Sequence, residues 1–290
     1  KSSIMIRITK ALRNIRNINE FLFVLFNQFF PLKIFGIKIP KKNLKLVLAY
    51  LRLKKHKAQF TISSEEIIFK IGKYTLTSSV YDESILMSFE ENIINDEYQL
   101  DSIDVNNKTI IDIGANIGDT ALHFIQRGAK RVYSLEPIPQ TYSYLQQNIS
   151  NNSLEDRIIP FNLGIGNKNE KFTIPVRENA SGGNSLTFIE RNKQNKQYSK
   201  DVEVSVITLE ELSQQISYKV DIVKIDCEGC EYSIIQNDYL MDFFNPEIII
   251  IEYHMGEQNI RDWLKNRNYE IFKSILKNNN LGLIFSKILV

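Results

Sequence analysis

Beyond residue 107 the chain alternates short apolar runs with stretches whose apolar residues recur three and four positions apart. That pattern predicts strands alternating with helices, and hence a parallel sheet covered on both faces. Residues 108–113, 131–135 and 157–161 read as strands, with helices over 119–127 and 140–149 between them. Residues 172–176 and 202–207 read as further β segments, separated by the polar stretch 177–201, a candidate lid or acceptor loop. Residues 220–225, 247–251, 270–275 and 281–286 complete the strands. The predicted fold class is α/β, a Rossmann-like sheet with helices on both faces.

Before that region the period differs. Residues 4–30 set Ile4, Ile8, Leu12, Ile15, Phe21, Leu22 and Leu25 among Arg7, Lys10, Arg13 and Arg16. This is a basic amphipathic helix or helix pair, ended by Pro31. Docking on the main domain is its ordinary use; contact with a membrane surface or a partner is the alternative. Residues 41–57 read as a second surface helix, and short strands follow over 61–76 with Gly72 at the turn. The expected organisation is a mainly helical N-terminal extension over 1–78 and a larger domain over 79–290. Asn27, Gln28, Pro31, Lys33 and Lys38 keep 21–39 well short of the ~20 apolar residues of a spanning helix. The apolar run 21–26 is too short for a secretory signal, so the expected location is cytoplasmic, with peripheral membrane contact through 4–30 left open.

Composition changes little in this picture. A hydrophobic fraction of 43% and a charged fraction of 24% belong to an ordinary globule and choose no function. A net charge of +2 offers no global electrostatic case for nucleic acid as a partner. Cys227 and Cys230 make neither a disulfide framework nor a complete zinc site; they are expected to stay reduced, and no metal is expected.

The candidate chemistry lies where strands end. Ile110 to Asp119 reads as a buried strand, a small-residue turn and a helix start. Gly114 and Gly118 let backbone approach a ligand, with Ala115, Asn116 and Asp119 completing the loop. The turn lacks the G-x-G-x-x-G spacing of a dinucleotide site and carries Asp112 at the strand end. A carboxylate suits the ammonium and sulfonium of S-adenosylmethionine better than a pyrophosphate. Glu136 follows Asp112 by 24 positions, near the interval at which Rossmann-type folds place a ribose-binding carboxylate. Asn162 is a candidate for adenine or, equally, a turn former. A further strand ends in Asp226, Cys227, Glu228 and Gly229, and the next in Glu252, Tyr253 and His254, so these carboxylates and this histidine should face the same crevice. Glu231 reads as a helix-start carboxylate favoured by the dipole. His254, Glu228 and Asp226, in that order, are candidates to take a proton from an acceptor.

With I-D-I-G-A-N-I-G-D at 111–119, G-A-K-R-V-Y-S-L-E-P at 128–137, V-D-I-V-K-I-D-C-E-G-C-E-Y at 220–232 and I-I-I-E-Y-H at 249–254, the sequence resembles the FkbM-type methyltransferases over roughly 80–275. The resemblance implies S-adenosylmethionine as cofactor and O-methylation of sugar or natural-product hydroxyls. It places the cofactor loop at 112–119, the ribose carboxylate at Glu136 and a second acidic motif at Asp226 and Glu228. The Cys227 and Cys230 positions more often hold small or aliphatic residues in that family, which points to packing there. Two other readings stand beside this one: an RNA- or protein-directed methyltransferase, and a cofactor-binding interaction protein without turnover.

Overall fold

The computed structural model describes residues 33–34, 37–38, 52–177, 181–184 and 200–289, apart from 54, 64, 80, 81, 83 and 238. The amphipathic stretch 4–30, most of the second basic stretch, and 178–180 and 185–199 of the expected lid lie outside the described residues.

Strands β1 (Lys33–Ile34) and β2 (Ile37–Lys38) pair antiparallel. Next, β3 (Phe60–Ile62), β4 (Glu66–Ile71) and β5 (Tyr74–Ser79) form an antiparallel sheet, with the β4–β5 turn at Gly72, where φ is +59°. Helix α1 (Ile85–Phe89), in a region the sequence reading left unassigned, runs directly into a π-helical turn, Glu90–Ile94.

The expected alternation then begins: β6 (Thr109–Ile113), α2 (Asp119–Gln126), β7 (Arg131–Leu135), α3 (Pro139–Asn151) and β8 (Ile158–Phe161). Strands β9 (Gly164–Ile165), β10 (Glu170–Val176) and β11 (Lys200–Ile207) form a separate sheet rather than extending the central one. The chain continues through α4 (Leu209–Gln215), β12 (Ile222–Ile225), α5 (Glu231–Asn237), α6 (Tyr239–Phe243), β13 (Ile248–Tyr253), α7 (Gln258–Asn266), β14 (Tyr269–Asn278) and β15 (Leu281–Ile288).

The central sheet has seven strands in the order β14-β15-β13-β12-β6-β7-β8. The run from β13 to β8 is parallel, while β15 lies antiparallel to both of its neighbours. Sequence periodicity cannot read strand direction, so this mixed character emerges only in the fold. The chain starts at β6, walks outward to β8 and returns to β12 beside β6. That reversal opens a crevice at the carboxyl ends of β6 and β12, where open α/β sheets bind ligands.

Strands β6 and β12 are buried along their whole length because both faces are covered. Ile110, Ile222 and Ile250 face a core shared with β4, β5, α2 and α3. Ile111, Val223, Ile249 and Ile251 face a second core with α4, α5 and α7. The small sheet is tied on by hydrogen bonds as well. Asn148 of α3 accepts from Thr77 N–H at 2.7 Å and donates to Thr77 O at 3.0 Å, and Asn152 repeats the pattern on Thr75 at 2.8 and 2.7 Å. Two amides one helical turn apart thus take the place of a strand along the β5 edge.

Candidate active site

The cleft at the switch point spans about 710 Å³ of space, open solvent at its mouth included. Its floor is the turn between β6 and α2. Gly114 and Ala115 N–H both donate to Leu135 O, at 3.0 and 2.9 Å, and Asp226 N–H donates to Ile113 O at 3.0 Å. Gly114 has φ +81°, and a Cβ there would sit 1.8 Å from the Asp226 carbonyl oxygen. Only glycine fits between the two strand ends. Gly118, at φ +93°, is the left-handed N-cap of α2. Ala115 is fully buried beneath the turn.

Asn116 and Glu136 line the cleft. Glu136 accepts Asn116 N–H at 3.1 Å on one oxygen and Ile138 N–H at 2.8 Å on the other. Each oxygen keeps a second lone pair, which suits a pair of ribose hydroxyls. Burial pushes the Glu136 carboxyl up to about 7, although the two amides and Lys224 pull the other way. Asn116 Oδ1 is buried without a hydrogen-bond partner among the described residues. A glycine gap, a carboxylate with free lone pairs and an unused buried acceptor together fit the nucleoside and ammonium groups of S-adenosylmethionine. The Asn162 amide donates to Glu136 O at 2.9 Å and Pro137 O at 3.1 Å, clipping the backbone that carries Glu136.

Asp112 does not face the crevice as the sequence reading placed it. It shares strand parity with Ile110, so its side chain enters the helix layer, fully buried, 3.0 Å from Lys224 Nζ. Lys224 sits directly across from Asp112 in the β6–β12 register. Its ammonium also donates to Gly114 O at 3.0 Å and stands 3.8 Å from Asp226. The Tyr98 ring lies 5.2 Å from the same ammonium, and the Tyr98 hydroxyl donates to Asp226 Oδ2 at 2.7 Å. Asp119 is likewise buried, its carboxylate accepting from Asn92 at 2.6 Å; desolvation raises its pKa. Sequence reasoning missed Lys224, although one charge in a strand buried on both faces must find a partner. Tyr98 gave no signal, being 128 residues from the group it holds.

The far wall carries Asp226 and Glu228, both lining the cleft. Burial alone would raise the Asp226 carboxyl, but Lys224, His254 and the Tyr98 hydroxyl outweigh it and hold it below its ordinary value. Glu228 is a non-glycine residue at φ +55°, and burial raises its carboxyl against the pull of His254 and Arg177. His254 stands behind these two, Nε2 3.5 Å from Glu228 and 4.0 Å from Asp226, and is not among the cleft-lining residues. Its Nδ1 meets Glu231 Oε1 at 3.0 Å. Burial alone would lower the imidazole, but the Glu231 hydrogen bond and the charges of Asp226, Glu228 and Glu231 push it up to about 9. The ring is therefore cationic at neutral pH, which corrects its rank as first candidate for a base. Glu231 is a ring partner and a turn clamp rather than a simple helix-start charge.

Cys227 and Cys230 are joined as a disulfide across Glu228 and Gly229, which corrects the expectation of two packed thiols. Ser181, Gly182, Gly183 and Asn184 of the expected lid do line the cleft. They are moored: Gly182 N–H donates to Ser84 Oγ at 3.1 Å, Ser181 N–H to Asp82 at 3.3 Å, and the Arg177 guanidinium to Gly182 O. Asp226, Glu252 and His254 bring ligand-type atoms within 4.8 Å of one another. Tyr98 already holds one Asp226 oxygen, Lys277 holds Glu252 at 2.9 Å, and the imidazolium adds a third positive charge beside Lys224 and Lys277. These groups are already engaged in one ion-pair network.

Curated relatives match short stretches. The chain is 38% identical over 74 residues to the histone-arginine methyltransferase CARMER of Anopheles gambiae, covering 26% of this chain and 11% of that one. It is 37% identical over 59 residues to the ribosomal protein L11 methyltransferase of Alteromonas mediterranea, 20% of each chain. It therefore spans a fifth or less of the length of these relatives. Among solved structures, the M. jannaschii tRNA m1G37 methyltransferase is similar at a TM-score of 0.45 and 13% identity, over 79% of this chain and 56% of that one. M. jannaschii TYW2 in complex with AdoMet is similar at a TM-score of 0.43 and 14% identity, over 79% and 88%. The Methyltransferase FkbM domain matches residues 112–271, more than half of the chain and all four strand-end motifs, and the protein belongs to that methyltransferase family.

Proposed function

We propose that this protein methylates a hydroxyl oxygen of a small or saccharide-like acceptor, with Glu228 as the group that takes the proton. The methyltransferase activity and S-adenosylmethionine as cofactor follow from the family; the acceptor is our reading. The observation that carries it is the cleft wall, where Asp226 and Glu228 face the same space as the Gly114–Glu136 floor. Carboxylates accept hydrogen bonds from neutral hydroxyls and repel a phosphate backbone, so a polyol suits this wall better than a nucleic acid.

Bound on this floor, S-adenosylmethionine supplies an electrophilic methyl carbon. The protein's own work is to align an acceptor oxygen, exclude water and remove one proton. Asp226, held by Tyr98 and Lys224, is a fixed acceptor for a neighbouring hydroxyl, and Glu228 is the cleft carboxylate that receives the proton. The moored segment 181–184 lines the same cleft.

A screen reading methyl transfer to polyols, amino sugars, RNA and protein tests the proposal. Turnover on hydroxylated small molecules is the expected result. Turnover confined to RNA or protein would replace the acceptor class. Cofactor binding with no turnover on any acceptor would favour a cofactor-binding interaction protein.

A further inference from the structure

We propose that Glu231 and His254 form a buried positioning pair that keeps Glu228 aimed into the cleft as an ionised carboxylate. The inference rests on the reading of Glu228 as proton acceptor and deepens it. Glu231 is fully buried, and its two oxygens hold two different pieces of chain. Oε1 accepts both the backbone N–H and the ring Nδ1–H of His254, each at 3.0 Å. Oε2 accepts Gly229 N–H at 2.8 Å, the peptide directly after Glu228. One carboxylate thus ties the turn that carries Glu228 to the strand end that carries His254. The tie matters because Glu228 sits in the left-handed region, which a non-glycine residue keeps only when its surroundings hold it there.

The charge arrangement follows the same line. His254 is faced by Glu231 from α5, Asp226 from the end of β12, Glu228 from the turn and Glu252 from β13. Glu228 is faced by His254 and Arg177 as cations and by Asp226 and Glu231 as anions. A carboxylate in this buried setting tends to take up a proton; the imidazolium 3.5 Å away opposes that. Removing the Glu231 charge weakens the hold on the imidazolium proton, and removing the imidazole takes away the cation that keeps Glu228 ionised. Both residues therefore act through Glu228.

The test is an NMR titration of His254 in the full chain, for wild type and Glu231→Gln, with S-adenosylhomocysteine calorimetry on the same samples. The pH profile of turnover, for an acceptor found in the screen, is added for both and for His254→Gln. His254 should titrate near 9 in wild type and fall toward the ordinary ~6.5 in Glu231→Gln. In His254→Gln the acid limb of turnover should move to higher pH, because Glu228 then holds its proton more tightly, while cofactor affinity stays unchanged in both variants. An ordinary His254 titration in wild type, or an unshifted one in folded Glu231→Gln, overturns the pair. If Glu231→Gln does not fold, the wild-type titration and the His254→Gln profile decide; an unmoved acid limb counts against it. Full turnover in Glu228→Gln with His254 still titrating near 9 would sink the proton-acceptor reading and leave the pair standing.

Discussion

The floor of the cleft, from Ile113 to Asp119, is one continuous piece of chain, whereas the wall at Asp226, Glu228, Glu231 and His254 is assembled from two strand ends and a helix start. The floor depends on backbone: glycine at φ +81° and +93°, and amides pinned to Leu135 O. The wall depends on side-chain charge, with three carboxylates around one imidazolium. A backbone device is written locally and fails through sterics. A charge device is distributed, and fails through pH or through loss of one partner. Lys224 joins the two, touching Gly114 O on one side and Asp226 on the other.

Gly114→Ala should break the floor most completely. The added methyl would lie 1.8 Å from a backbone oxygen in a conformation hostile to side chains, so calorimetry should find no S-adenosylhomocysteine binding. Retained affinity would mean that the floor is more pliant than its geometry states. For the wall, Glu228→Gln should slow the chemical step by roughly 10²–10⁴-fold, the range for losing a general base, with cofactor affinity intact. Single-turnover kinetics separates the two.

At the junction, Lys224→Met leaves the buried Asp112 without its cation and takes one of two from Asp226, which keeps His254 at 4.0 Å. Breaking a buried pair costs about 3–5 kcal/mol, readable by denaturant unfolding, and floor and wall should fail together. A stable variant that loses only one of them would show that Lys224 is not their link.

The gentlest probe is Glu136. Glu136→Ala should weaken cofactor binding by about 1–3 kcal/mol, the range for a charged hydrogen-bond partner. Its carboxyl is raised from 4.5 to about 7, so the folded, ligand-free protein binds that proton more tightly than the unfolded chain. Stability without ligand should therefore fall as pH climbs from about 4.5 to about 7 and level off above, while cofactor affinity rises over the same interval. Glu136→Gln should flatten both slopes; unchanged slopes would assign them to another group.

The long strands from β6 onward and helices α2 and α3 were legible in the sequence, because apolar period and turn residues act over a few positions, whereas β9, α4, α6 and α7 were not read. The Gly114 loop was legible for the same reason. The antiparallel β14–β15 pair was seen only as two strands, since direction depends on which edge the chain reaches. His254 was read as facing the crevice from its strand-end address, but a Cβ direction does not reveal that Asp226 and Glu228 stand in front of it. Asp112 was misplaced because the crevice lies past the strand's end, while its side chain follows the strand's parity into the helix layer.

By itself the sequence determined the α/β alternation, the glycine turn and the carboxylates at strand ends, features set by backbone sterics and side-chain period within about ten residues. Only the tertiary structure decided that Tyr98 and Lys224 would hold Asp226, that Glu231 would hold His254, that Asp82 and Ser84 would moor the loop at 181–184, and that Cys227 and Cys230 would pair. Most of these contacts join residues more than 20 positions apart, and burial, by making every unpaired charge costly, selects which of them form.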